Sequence, residues 1–185
     1  MSRAFISILG TNNYLECRHT YNNSVTETPV KYCQEDLVKI FCKDFDKDDE
    51  IRIFLTKDAE QKNWFNDGHT DRDNNPVPNI GLKERLEKII NPEIIKPIPI
   101  KEGYNEEEIW EIFQTIFDSI KDEEEIIVDI THSFRSLPML LITLLNFAKQ
   151  VKRIKVTGIY YAAFESLGTM SEIAKIQPED RIVPI

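Results

Sequence analysis

Apolar residues fall along this chain in two alternating textures. Short, nearly unbroken apolar runs rich in β-branched residues occupy 4–10 (AFISILG), 50–56 (EIRIFLT), 93–100 (EIIKPIPI), 125–130 (EIIVDI) and 154–164 (IKVTGIYYAAF). Each has the length of a strand, and together they predict strands buried on both faces. Between them lie segments in helical phase. From Cys33 onward Leu37, Val38, Ile40 and Phe41 share one helical face, and 57–65 (KDAEQKNWF) predicts a second helix. In 80–91 Leu82, Leu86, Ile89 and Ile90 are in phase, and in 105–122 Ile109, Ile112, Phe113, Ile116 and Phe117 face inward. That segment also has Asn105 at the N-cap and acids in its first turn, where free N–H groups and the helix dipole favour them. The last helix is predicted at 136–153 (SLPMLLITLLNFAKQVKR). The order β-α-β-α-β-α-β predicts an α/β fold, a mostly parallel sheet with helices on both faces. Pro97 and Pro99 remove ladder donors, which puts 93–100 near a sheet edge.

Three stretches fall outside this alternation. Asn22-Asn23 divides 14–32 into two polar–apolar halves and predicts a β-hairpin insertion after the first strand. The Asp/Asn/Pro-rich 66–79 (NDGHTDRDNNPVPN) has no periodicity and predicts a surface loop. The final RIVPI reads as the opening of a further strand, as expected of a chain truncated before another domain. No internal repeat is visible, and 1–185 is expected to form one domain.

Composition narrows the function classes. At 185 residues, 41% apolar and 10% aromatic, the chain can bury a proper core. A net charge of −9 argues against nonspecific binding to duplex DNA or anionic membrane, which needs a basic surface. It leaves open a small anion held by backbone N–H groups at a helix start. Cys17, Cys33 and Cys42 are odd in number without CxxC spacing, the pattern of reduced thiols in a cytoplasmic protein. No signal peptide opens the chain, and no apolar run reaches the ~20 residues that span a bilayer.

Candidate chemistry concentrates at two strand ends, where ligands sit in open α/β sheets. At the first, 8–14 (ILGTNNY), Gly10 permits a tight turn or close backbone approach. Thr11, Asn12 and Asn13 offer hydroxyl and amide groups to phosphates, riboses or base edges, or simply form the turn into the hairpin. At the second, Asp129 ends a strand, Thr131 and His132 make the turn, and Ser133 to Ser136 precede an apolar helix whose N-terminus suits a phosphate. The structural alternatives are capping by Ser133 or Ser136 with Pro138 in the first turn, a surface salt bridge for Arg135, and a hydrogen-bonded His132. Asp129 suits a loop-orienting role. No GxGxxG, Walker or GxSxG pattern occurs, and Asp129, His132 and Ser133 lie too close together for an obvious triad. His19, His69 and His132 are scattered without metal-ligand spacing, so no metal or cofactor is expected. The acidic 43–50 (KDFDKDDE) lacks the Gly and Glu of a calcium loop and reads as a solvated helix end.

Taken in order, FISILGTNNYLECRHTY, IRIFLTKDAEQKNW, NEEEIWEIFQTI, VDITHSFRSLPMLL and KVTGIYYAAFE resemble segments of the CARF (CRISPR-associated Rossmann fold) proteins, specifically the subgroup with a DxTHG motif. The resemblance implies a Rossmann-like homodimeric domain. It would bind cyclic oligoadenylate, the messenger of type III CRISPR complexes, across its two-fold axis, and switch a C-terminal effector domain. Gly10, Thr11, Asn12, Asn13, Thr131, His132, Ser133, Phe134 and Arg135 would line that pocket, with Asp129 mainly structural. Asn12 and Ser133 stand where the subgroup has glycine, and Ser133 adds a hydroxyl while removing φ freedom. The leading expectation is a binding domain for cyclic tetra-adenylate. The alternatives are a metal-independent ring nuclease, with Thr11, Asn12, Ser133 and Arg135 positioning the phosphate for attack by a ribose 2′-hydroxyl, and a purely structural dimerisation domain. Tyr14 and Tyr21 are expected to cover the domain's own core, the alternative being contact with adenines or the dimer interface.

Overall fold

A computed structural model of the protein describes residues 2–65, 68–70, 73–131 and 137–185. The first strand, β1 (Arg3–Leu9), is followed by a hairpin of β2 (Arg18–Tyr21) and β3 (Ser24–Val25) and by helix α1 (Cys33–Phe41). Next come β4 (Glu50–Leu55), α2 (Lys57–Ala59), the two-residue strands β5 (His69–Thr70) and β6 (Pro76–Val77), and α3 (Leu82–Glu87). The remainder is β7 (Ile95–Pro99), α4 (Glu106–Ser119), β8 (Glu125–Asp129), α5 (Leu137–Val151), β9 (Lys155–Tyr160), α6 (Met170–Ile173) and β10 (Ile182–Pro184).

Five strands form one parallel sheet in the order β7-β4-β1-β8-β9, a Rossmann-like arrangement. Side chains alternate across it. Phe5 and Leu9 of β1 join α1 and α3 on one face, while Ile6 and Ile8 join Ile112 and Ile116 of α4 and Leu141 and Leu144 of α5 on the other. Helices thus cover both faces, and β7 with its two prolines lies at one edge, both as the pattern predicts. Asn105 caps α4 by accepting a hydrogen bond from the Glu108 N–H at 2.9 Å.

The predicted hairpin is present. Asn22 (φ 49°) and Asn23 (φ 63°) both adopt the left-handed region its two-residue turn demands. The closing RIVPI contributes β10, which pairs in parallel with β2 to make a second sheet, β10-β2-β3.

Several expectations need correction. Only one α-helical turn follows β4 before the backbone widens into a π-helix over Glu60–Trp64. Consecutive residues Asn63 and Trp64 are both buried there, Trp64 in the core and Asn63 in a polar network. Helix α3 stops at Glu87, because the N–H groups of Ile89 and Ile90 both turn back to the Leu86 carbonyl and Asn91 caps a following 3-10 turn. The stretch 66–79 is not wholly loop, since β5 and β6 form a short antiparallel ladder with Asn74 at φ 62° between them. Most of 43–50 is exposed, but buried Asp49 binds the Arg3 backbone N–H at 2.8 Å and the Arg3 guanidinium at 2.6 Å. The last long apolar run ends as a strand at Tyr160, and a 3-10 turn follows over Phe164–Leu167.

Candidate functional site

The chain leaves β1 outward through β4 and β7, then returns to the other side of β1 for β8 and β9. The carboxyl ends of β1 and β8 therefore flank the point where connections diverge, which opens a crevice in folds of this kind. The two polar strand ends of the sequence are neighbours at that crevice.

Ser7 lies opposite Asp129 in the β1–β8 register, on the face where the alternation would place an apolar residue. Its hydroxyl donates to Asp129 Oδ2 at 2.7 Å and accepts from Gln34 Nε2 at 3.0 Å. Asp129 Oδ1 accepts from the Thr131 backbone N–H at 2.9 Å and from its hydroxyl at 2.5 Å. Thr131 Oγ1 in turn accepts from the Ala162 N–H at 3.0 Å, which fastens the loop after β8 to the chain after β9. Burial raises the Asp129 carboxyl above its ordinary range, and the hydrogen bonds from Thr131 and Ser7 pull it partly back. Cys33, with Sγ 3.8 Å from Asp129 Oδ2, is pushed well up by burial and by that carboxylate, so it is a thiol in the wall and no nucleophile.

The loop after β1 is held from below by Asn63. Its Nδ2 donates to the Gly10 carbonyl at 2.8 Å and to the Asn12 carbonyl at 2.9 Å, while its Oδ1 pairs with Tyr32 Oη and His69 Nε2. Gly10 does not take a left-handed φ, so its backbone makes no turn that requires glycine.

Above this floor lies a cavity of about 640 Å³. Asn12, Asn13 and Thr131 line it, while Gly10 and Thr11 are not among its lining residues. His132, Ser133, Phe134 and Arg135, with Ser136, lie outside the described residues. Tyr14 lines the cavity and also meets Tyr32 edge-on in the core at 5.8 Å. Tyr21 packs against Phe41 and Tyr160, as expected of a residue covering the domain's own core. Two lining groups escaped the sequence reading. Lys31 donates to Asn13 Oδ1 and Asn79 Oδ1, each at 2.9 Å, and Tyr161 Oη contacts both carboxylate oxygens of Glu165 at 2.9–3.0 Å. Lys31 lies in none of the segments that carry the resemblance, and Tyr161 lies in KVTGIYYAAFE, where the resemblance assigns it no binding role; folding brings both to the crevice. Among the described residues no group of three or more His, Cys, Asp or Glu side chains is placed to hold a metal ion.

The family model described as the CARF domain of the CRISPR system endoribonuclease Csx1 matches residues 4–165. The chain belongs to this Csx1 CARF domain family. A curated relative, the CRISPR-associated protein MJ1674 of Methanocaldococcus jannaschii, is 31% identical over 143 residues. The alignment takes in 74% of this CARF domain chain and 22% of that protein, so the chain spans well under a third of its relative's length. No described helix of the CARF domain is long and apolar enough to cross a membrane.

Proposed function

We propose that this CARF domain is a cytoplasmic sensor of type III CRISPR defence, of the DxTHG subgroup, that binds cyclic oligoadenylate and relays its occupancy to an effector domain. The observation that carries the reading is the cavity at the β1–β8 crevice, lined by the polar loop after β1 and by Thr131, in a Csx1 CARF chain. The ring is cyclic tetra-adenylate, held by Gly10, Thr11, Asn12, Asn13, Thr131, His132, Ser133, Phe134 and Arg135. Amide, hydroxyl and backbone groups suit it, because they accept phosphates and adenine edges without a basic surface. The effector is a ribonuclease, in keeping with the family's description as an endoribonuclease.

A ring with internal symmetry fits a two-fold groove, so the binding unit is a homodimer. Support for a dimer comes from Met139 and Ile142 of α5 and Ile159 of β9, all exposed apolar residues.

Calorimetric titration with cyclic tri-, tetra- and hexa-adenylate, followed by chromatography of each mixture, tests the proposal. One intact cyclic tetra-adenylate bound per dimer is expected. Recovery of linear adenylates would move the domain into the ring-nuclease class, and absence of heat with every ring would refute the sensor.

A further inference from the structure

A second cavity, of about 780 Å³, adjoins the first across Tyr14, Leu15 and Lys31. Its wall gathers cations from three separate parts of the chain: Lys31 after the hairpin, Arg85 of α3, and Arg181 before β10. Arg85 is committed, with Nη1 3.3 Å from Glu35 and Nη2 3.7 Å from Glu16. Lys31 and Arg181 are not.

Arg181 is only 7% exposed. Its Nε donates to the Ile173 carbonyl at 3.2 Å and its Nη1 to the Glu16 carbonyl at 3.0 Å. Among the described residues its Nη2 has no partner, and no carboxylate approaches the guanidinium within 4.0 Å. A guanidinium removed from water normally rests against an anion, because carbonyl dipoles alone do not offset the lost hydration. Among the described residues Lys31 likewise has no carboxylate within 4.0 Å and is held by two amide oxygens, of Asn13 and Asn79. In a chain of net charge −9, two uncommitted cations converging on one cavity need a specific reason.

We infer that this second cavity binds a phosphate group, free or carried by a nucleoside, with Arg181 Nη2 and the Lys31 ammonium on its oxygens. Guanidinium geometry matches phosphate, and a lysine adds a compact charge. Pro78, Ile80 and Pro178 give the same cavity an apolar wall, which suits a nucleoside attached to the phosphate. The inference does not rest on the ring reading, since it concerns a separate cavity and the Arg181 guanidinium, although Lys31 lines both cavities.

The test is calorimetry and thermal denaturation of the chain with inorganic phosphate and with adenosine monophosphate, at ionic strength held constant with sodium chloride. Saturable binding of one phosphate per chain is expected. Tighter binding of the nucleotide assigns the site to mononucleotides, and equal binding assigns it to free phosphate. Lys31→Gln and Arg181→Gln should each weaken binding about tenfold or more, the usual loss of a charge-assisted hydrogen bond. Because Arg181 also fastens two backbone carbonyls, its loss could unfold the chain. Ile80→Glu at the exposed rim keeps those contacts, places a carboxylate by the anion, and should weaken binding with the melting temperature unchanged. Heats and melting shifts no larger than with chloride alone, or binding undiminished in Lys31→Gln and Ile80→Glu, would overturn the assignment.

Discussion

The most informative single position is Ser7, a fully buried hydroxyl in the central strand that joins Gln34 to Asp129. Ser7→Ala leaves the Gln34 amide without its acceptor and removes one donor from a buried carboxylate, so it should cost about 1–3 kcal/mol at neutral pH. The pH dependence has a definite sign. Burial, first among the causes, raises folded Asp129 above its unfolded value, so its contribution to stability is fully present below the unfolded value and is lost as pH rises through the folded one. Ser7 moderates that loss by stabilising the carboxylate. The deficit of Ser7→Ala relative to wild type should therefore be largest near pH 7 and narrow as Asp129 takes up its proton. Asp36 and Asp49 have the opposite sign. Burial alone would raise both, but hydrogen bonds from His19 and Arg3, respectively, bring them below the ordinary value, and they lose stability on acidification in both proteins alike. Urea unfolding followed as pH falls from 7 through the Asp129 titration measures the difference, and a deficit that never narrows over that range would mean that Ser7 does not serve the Asp129 charge. Sequence gave Asp129 a loop-orienting role from its place at a strand end. It could not show Ser7 as its partner, because that contact spans 122 residues and leaves no local trace.

Elements were legible where burial alone dictated them. All five sheet strands follow from apolar periodicity, as do the core-facing Leu37, Val38 and Phe41 of α1 and Ile112, Phe113, Ile116 and Phe117 of α4, though Ile40 and Ile109 stay outside both core clusters; Asn22-Asn23 announces its own turn through the left-handed backbone that asparagine tolerates. Elements shaped by distant partners were not legible. KDAEQKNWF has the composition of a helix, yet Asn63 is required under the Gly10 and Asn12 carbonyls while Trp64 stays in the core, and a π-helix meets both demands. Likewise nothing in RIVPI names β2 as its parallel partner. The amino end of the sheet depends on a partner of the same hidden kind. Arg52 of β4 and Glu124, just before β8, form a fully buried two-point pair at 2.8 Å on each arm, with Glu50 on the Arg52 Nε at 2.8 Å. Glu124→Ala strands a buried guanidinium beside a half-buried Glu50 and should cost about 3–5 kcal/mol. The urea midpoint reads this directly. Ring affinity measured on the folded fraction should be unchanged, because the pair sits at the end of the strands opposite the cavity. A loss of affinity at full folding would show that the two ends of the sheet are coupled.

At the scale of the whole molecule, the strand order brings two polar strand ends, far apart in sequence, to one crevice. Sequence showed both loops and the fold class that makes strand ends functional, but the register that sets Ser7 against Asp129 exists only in the folded sheet. The same order leaves β9 at an edge, with Ile159 exposed, and turns Met139 and Ile142 of α5 to solvent. Met139 is 71% exposed, lies outside the cavity wall, and follows shortly after the second polar strand end. Met139→Glu should therefore leave monomer stability within about 0.5 kcal/mol, as surface changes generally do. If the ring is shared across a two-fold axis at this face, burying the new carboxylate opposes association, and both the dimer fraction and ring affinity should fall by about tenfold or more. Linkage adds a second expectation. A ligand bound only by the dimer stabilises the dimer, so cyclic tetra-adenylate should raise the dimer fraction of wild type in sedimentation equilibrium and do so less in Met139→Glu. The two readouts must move together, since one assembly carries both. A monomeric Met139→Glu that binds the ring as tightly as wild type would confine recognition to one protomer's cavity, and the two-fold axis would then have no part in sensing.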